Sequence, residues 1–396
     1  MVRPRVVSPK AKVTSIRLSE AEKLEMERAS ALLGYRSVAD YLRHLHESSI
    51  SKMQDLLKSP VQNNYGNLSV GYATKLGKIL QGNSLQFLHH EVEPNSVNLI
   101  VTSPPFGLIS KKSYGNEDAV AYLNWFRPFA AGMKRVLKDD GSLVIDIGGS
   151  WKQGSPTRSL YHFKLLTMLC EEYGFHLAQE HFWWNPSKLP SPAEWVNIRR
   201  LRVKDAVNCV WWLSKTPYPK ANNRRILTPY SESMHRLMES GASSTKRPSG
   251  HLISEKFGRN NGGSVPPNLL AIANSESNSE YQEFCRSNGV AIHPARFPPQ
   301  LPEYFIRFLT DPGDCVVDPF GGSCVTGMVA ESLKRRWTCV ELDEEYIAGA
   351  LSRFKPPKKA LKNVAKPKSY NIYAPCTLPI DEKTTPLVID GGSKKR

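Results

Sequence analysis

The chain has 396 residues, 40% hydrophobic and 23% charged, which excludes fibrous and disordered classes and permits one large core or two moderate ones. Its 53 Lys and Arg against 37 Asp and Glu leave a net charge of +16, the balance of a protein that neutralises phosphates, although charge alone does not separate a nucleic-acid binder from a merely soluble basic protein. No segment approaches the roughly eighteen uninterrupted apolar residues of a bilayer span, MVRPRVVSPK lacks the apolar stretch of a secretory signal, and the seven cysteines are scattered without a CxxC pair; a cytoplasmic protein with no membrane association, disulfide framework or metal site is expected.

Residues 12–57 read as a small unit of their own. Lys12 to Ser19 has the pattern of a short strand, with Ile16 and Leu18 facing one way and Ser15 and Arg17 the other. Ser19 with Glu22 makes a capping box for a helix with Ala21, Leu24, Ala31 and Leu32 on one face and Gly34 as its stop. Ser37 caps a second helix, whose apolar positions Val38, Tyr41, Leu42 and Leu45 share a face. One strand and two helices cannot bury a core alone, so the unit is expected to form a homodimer through residues 12–57. It resembles the ribbon-helix-helix DNA-binding family. That resemblance implies a two-stranded ribbon in the major groove with Ser15 and Arg17 reading base edges; an incidental helical hairpin, or a dimer clamp that binds no DNA, fits the same residues.

Residues 58–71, rich in Asn, Ser, Gly and Pro, read as a linker. From 72 to 354 strand-like and helical segments alternate, as a parallel α/β sheet requires. The apolar run Val97 to Val101 ends in Ser103, Pro104, Pro105 and Phe106, a turn where such sheets hold ligands. Tyr122, Phe126, Phe129, Met133 and Leu137 form a helical stripe, and Ser142 to Ile145 a strand that ends in Asp146, Ile147, Gly148 and Gly149. Asp146 falls beside the Ser103 turn if these two strands are neighbours.

The stretch 183–293 departs from regular alternation and carries Arg199, Arg200, Arg202, Lys204, Lys246, Arg247 and His251 among Trp, Asn and Gly. It is expected to be the target-recognition region, with most cations on phosphates and a few on base edges. Trp183, Trp184, Trp211 and Trp212 read as core strands. His293 to Phe297 leads into a helix with Leu301, Tyr304, Phe305, Phe308 and Leu309 on one side. Cys315 to Val317 end a strand, Asp318 to Gly322 form a glycine turn, and Val325, Met328, Val329 and Leu333 are the buried stripe of the next helix. The strand Thr338 to Val340 ends in Glu341, where nucleotide-binding sheets place a carboxylate for ribose hydroxyls. Residues 355–396 read as a basic, disordered tail.

TSPPFGLISKKSYGN, VIDIGGSW, NPSKLPSPAEWVN, RVKDAVN, RPSGH, NNGGSVPPNLL and HPARFP, in this order, resemble the β class of amino-methylating DNA methyltransferases over residues 72–354. The resemblance implies an α/β, Rossmann-like S-adenosylmethionine-dependent methyltransferase sheet in circularly permuted motif order, with the base-binding motif ahead of the cofactor motif. It puts His293, Pro294 and Ala295 near the methionine end of S-adenosyl-L-methionine, Asp318, Phe320, Gly321 and Gly322 in the cofactor turn, and Glu341 on the ribose. Asn83 stands where the family has an acid beside the adenine; its amide oxygen still accepts, so weaker cofactor binding at most is implied. Trp183 and Asn185 would flank the flipped base, and CAGCTG is a candidate target.

Methylating an exocyclic amine is hard because the nitrogen lone pair is delocalised into the ring. Acceptors on the amine hydrogens pull that nitrogen towards a tetrahedral shape, and the Ser103 hydroxyl and Pro104 carbonyl suit the task. Pro105 helps to fix the carbonyl direction, Phe106 offers a stacking face for an extruded base, and Asp146 takes up or relays the released proton or caps its glycine turn. A serine at the head of the tetrapeptide is that of the cytosine-N4 branch, and adenine-N6 methylation is the alternative. Carbon-five chemistry needs a cysteine after a proline at the catalytic strand end, but the pair Pro375–Cys376 lies in the tail. Double-stranded DNA and a cognate restriction endonuclease acting on the same site are the expected partners. A reading of another class is a non-catalytic ribbon-helix-helix regulator that senses S-adenosylmethionine.

Overall fold

The computed structural model describes residues 19–45, 66–107, 121–152, 154–240, 245–246, 252–253, 259–274 and 279–354. The expected strand lies outside them from residue 12 to 18, with Ser15 and Arg17, as do the tail 355–396, Arg247 and His251. The chain divides into two compact units, Met1–Asn64 and Tyr65–Arg396.

In the first unit the helix Glu20–Leu32 opens on the capping box. Ser19 Oγ accepts from the Glu22 amide at 3.3 Å, and the Glu22 carboxylate accepts from the Ser19 amide at 2.7 Å. That returning bond holds Glu22 below the ordinary carboxylate range. Gly34 takes the left-handed conformation that ends the helix, φ +75°. Ser37 Oγ accepts from the Asp40 amide at 3.1 Å and starts a second helix over 38–45. Leu24, Leu32, Leu33 and Leu45 stay exposed.

The second unit is a nine-stranded mixed sheet between two helical layers. Its strands are β1 (Ser69–Ala73), β2 (Gly77–Gln81), β3 (Val97–Thr102), β4 (Leu137–Ile147), β5 (His176–Trp184), β6 (Val207–Ser214), β9 (Leu269–Ala271), β10 (Cys315–Asp318) and β11 (Arg336–Glu341). They stand in the order β1-β2-β11-β10-β3-β4-β6-β5-β9, while β7 (Thr245–Lys246) and β8 (Leu252–Ile253) form a separate ladder. The five strands from β2 to β4 are parallel. The sheet as a whole is not, because β1 pairs antiparallel with β2 and β6 runs against both β4 and β5. β6 returns from β5 and slots between it and β4, so part of the expected recognition region belongs to the main sheet. β1 also begins inside the expected linker 58–71; Leu68 is buried and Val70 packs on the core, apolar contacts hidden among Asn, Gly and Ser.

All six residues of β3 and all four of β10 are buried, as strands covered on both faces must be. On one side the helices Tyr122–Val136 and Tyr161–Glu171 lay Phe126, Met133 and Leu165 over Ile100 and Val317. On the other, the helices Gln300–Leu309 and Val325–Ser332 lay Phe305, Ile306 and Val329 over Leu99 and Val316. Each fully buried side chain of this size stabilises the fold by about 1.5–3 kcal/mol relative to exposure. The two layers hold β10, β3 and β4 side by side, with Val317 paired to Ile100 and Thr102 to Ile145. The turns after these three strands consequently meet at one edge. No described helix is long and apolar enough to cross a membrane.

Candidate active site

The turn after β3 supplies one wall of the site. Ser103 Oγ donates to Asp146 Oδ2 at 3.1 Å, and Asn208 Nδ2 on β6 donates to Asp146 Oδ1 at 3.1 Å. Asp146 is buried behind the serine, and burial pushes its carboxyl up to about 6 against the pull of these two bonds. Because the hydroxyl proton is committed to Asp146, the remaining lone pairs of Ser103 Oγ are open to a donor. Pro104 and Pro105 continue the turn with fixed φ. The Phe106 ring lies on Gly148, where a Cβ would come within 2.7 Å of it, so the glycine makes room for the aromatic face. Tyr161 pins that glycine by donating to its carbonyl.

The turn after β10 supplies the facing wall. The buried Asp318 carboxylate accepts from Thr102 Oγ1 and Thr326 Oγ1, each at 2.7 Å, and from the Phe320 amide at 3.1 Å. Burial raises it to about 6, with these three bonds opposing. Its place in the turn is thus that of an internal brace joining β3 to the helix Val325–Ser332. The Gly321 amide donates to the Val340 carbonyl at 2.8 Å, and a Cβ on Gly321 would stand 3.0 Å from Cys339 Cβ; the turn presses on β11. Gly322, with φ +50°, donates to Glu341 Oε2 at 2.6 Å. Glu341 also takes the amides of Leu342 and Asp343 at 2.9 and 3.0 Å. Burial raises Glu341 above the ordinary range and these amides pull it back. His293 packs against Gly322 and meets the Tyr346 ring edge-on at 4.5 Å; burial lowers it to about 4, so the imidazole is neutral near pH 7. The Phe320 ring is wedged against Phe129 at 5.0 Å and Trp125 at 5.8 Å.

Both walls line one cavity of about 390 Å³, within the size range of small-molecule sites. It gathers Asn83, Ser103, Pro104, Pro105, Phe106, His293, Ala295, Asp318, Phe320, Gly321, Gly322 and Glu341. Pro294 is not in its lining, and Asp146 reaches it only through Ser103. Asn83 caps a short helical turn, its Oδ1 accepting from the Leu85 amide at 2.9 Å. Ser84, Trp125, Phe129, Arg296 and Leu342 also line the cavity and were not anticipated. Phe129 was legible only as a packing residue, because a stripe that buries one side against the sheet gives no sign that its end opens on a ligand space. Leu342 carries a signal that could have found it, an apolar residue directly after a strand-ending acid; in the structure it is 70% exposed.

Elsewhere the expected recognition residues separate. Arg199 and Arg200 are exposed, with Arg199 paired to Glu194 at 2.7 Å and lying 5.3 Å from the Trp195 ring. Arg202 turns inward to Asp205, which also holds Arg158. Lys246 is on β7. Trp183, Trp211 and Trp212 are core residues, whereas Trp184 is 40% exposed. Trp183 Nε1 donates to the Ile272 carbonyl at 2.9 Å, and neither it nor Asn185 lines the cavity. The indole is held in the core by that bond and by packing on the sheet. Asn185 Oδ1 is occupied by the amides of Ser187 and Asn274 at 3.1 and 3.2 Å.

The DNA methylase family matches residues 97–352. The chain is 48% identical to the type II methyltransferase M.PvuII of Proteus hauseri over 305 residues, 76% of this chain and 89% of that one. It is 26% identical to the type II methyltransferase M.BglII of Bacillus subtilis, over 69% of this chain and 67% of the relative. A solved structure titled PvuII DNA methyltransferase (cytosine-N4-specific) superposes with a TM-score of 0.61 at 43% identity, covering 75% of this chain and 92% of that one. With a match across most of the second unit and a relative this similar over three quarters of its length, the chain belongs to the DNA methylase family that comprises the N6 and N4 amino-methyltransferases.

Proposed function

We propose that the protein is a site-specific DNA methyltransferase that moves a methyl group from S-adenosyl-L-methionine to the exocyclic N4 amine of cytosine in duplex DNA. The observation that carries this reading is the opening of the Ser103 turn and the Gly321–Gly322 bend onto the same cavity. The residues present fit the cofactor: Glu341 keeps one acceptor site on Oε2 for a ribose hydroxyl beyond its three amides, Asn83 offers an amide, and exposed Leu342 gives an apolar surface for a purine. When bound, the cofactor supplies an electrophilic sulfonium methyl.

The chain's own groups do the rest. The cytosine swings out of the stack and rests against Phe106. Ser103 Oγ, its proton turned to Asp146, and the Pro104 carbonyl accept the amine hydrogens, which gathers electron density on the nitrogen. The proton displaced on transfer passes through Ser103 towards ionised Asp146. A regulator that only senses the cofactor has no use for a buried acid behind a cavity-lining serine, which disfavours that alternative. Methylation of plasmid DNA by the purified protein, with the product mapped by sequencing, tests the assignment: N4-methylcytosine is expected, CAGCTG is the first site to inspect, and methyl groups on adenine would overturn it.

We further infer that residues 12–57 pair two copies and contact the operator of the protein's own promoter; the open leucine face of the first unit supports the pairing. Deletion of these residues should leave a monomer in sedimentation and abolish promoter binding. The cytoplasm, and a restriction endonuclease cutting the same site, complete the proposal.

A further inference from the structure

The segment joining β5 to β6 presents two large apolar side chains that the proposed reaction leaves without a task. Leu201 and Val203 are 65% and 86% exposed, yet their backbone is tied down. The amides of Leu201 and Arg202 both donate to the Trp195 carbonyl, at 2.8 and 3.1 Å, and the Asp205 amide donates to Ser191 at 3.2 Å. Lys204 Nζ donates to the carbonyls of Pro186 and Lys188 at 3.3 and 3.1 Å. Between the two apolar residues Arg202, at a bend in the chain, points inward to Asp205 at 3.0 Å while its two neighbours stay in solvent. Arg200, left-handed at φ +54°, makes the bend that presents Leu201.

Both ends of the segment are anchored beside the base wall. The Asn185 amide donates to the Ala206 carbonyl at 2.9 Å, and Asn208 just beyond holds Asp146. Apolar groups fixed in water by an ordered backbone mark a surface that a partner covers. The charges alongside say which partner: Arg200 and Lys204 form no ion pair among the described residues, and cations framing an apolar tip match phosphates framing a base stack.

We propose that Leu201 and Val203 form a wedge that enters the base stack of duplex DNA and fills the gap left when the target nucleotide swings into the cavity. The wedge rests on the base-extrusion reading above. Its role is positional: it lowers the cost of opening the duplex and touches no reacting atom.

The test compares wild-type protein with the double variant Leu201→Ala, Val203→Ala on two duplexes carrying the mapped site, one with the target base paired and one with it opposite an abasic position. The expected result is a fall of about tenfold or more in kcat/KM on the paired duplex and of less than about threefold on the abasic one, where little remains to be opened. A 2-aminopurine beside the target should lose its rise in fluorescence in the paired duplex only. Equal losses on both duplexes, or none on either, overturn the wedge. Adenine methylation by the wild-type protein overturns the cytosine assignment instead; the ratio between duplexes judges the wedge whichever amine is methylated.

Discussion

On the cofactor wall, Asp318 ties the glycine turn to β3 and to the following helix, and Glu341 ties it to β11 through the Gly322 amide. On the base wall, Ser103 has its bond to Asp146 and Phe106 leans on a glycine. The difference follows from what each would do in the proposed reaction. A methyl donor serves only from one direction, so its cradle is braced in advance and needs no reorganisation at the moment of transfer. A nucleotide arrives from outside the protein, so the groups that meet it must keep acceptor capacity and a bare ring face open.

Substitutions on the two walls should therefore fail in different ways. Ser103→Ala is expected to lower kcat about a hundredfold, since an acceptor that strengthens in the transition state is removed, while calorimetry finds cofactor affinity unchanged; a comparable loss of cofactor binding would merge the two walls into one unit. Thr102→Val takes a hydrogen bond from a buried carboxylate without changing shape. It should cost about 2 kcal/mol of stability, read from the urea midpoint. Glu341→Gln should weaken cofactor binding about tenfold by loss of a charge-assisted acceptor, with kcat at saturation preserved.

The smallest effect lies in pH. Asp146 and Asp318 are both raised by burial to about 6, so each gains its proton at higher pH than a free aspartate. The base wall needs Asp146 ionised to receive the Ser103 proton; kcat should accordingly fall on the acid side through about pH 6 and stay level above it. Asp146→Asn should flatten that limb from a lower plateau. Any acid weakening of cofactor affinity belongs to the facing wall, where burial raises Asp318 to about 6 and shifts Glu341 in the same direction, and should survive in the Asp146→Asn protein, which a titration of each parameter would reveal.

The central strands were legible because a strand buried on both faces is nearly all apolar: Cys315 to Val317 is unbroken, and Val97 to Val101 is interrupted only by Asn98, whose buried Oδ1 accepts from the Cys315 amide at 3.1 Å. The strand-ending residues Ser103, Asp146, Asp318 and Glu341 followed from the same signal. Their partners did not. Asn208 is 62 residues from Asp146, and Thr102 is 216 from Asp318; each pairing is created by which strands become neighbours, a fact that no local pattern holds. The reversed β6 was hidden for a related cause. Its tryptophans read as strand, but direction depends on the return path through the irregular segment before it. Asp318 was placed in the cofactor turn by resemblance, and its engagement by the two threonines, one ending β3 and one in the next helix, could not be read from the turn itself.

The order of strands also bears on when the protein becomes competent during synthesis. β10 and β11, made last, fill the two places between β2 and β3, which are made early. A growing polypeptide still on the ribosome thus has a breach at the middle of its sheet, about 14 Å wide by ordinary strand spacing. A fragment stopping short of Cys315 lacks the Asp318 turn and Glu341 that line the cavity, and should bare two unpaired edges and self-associate.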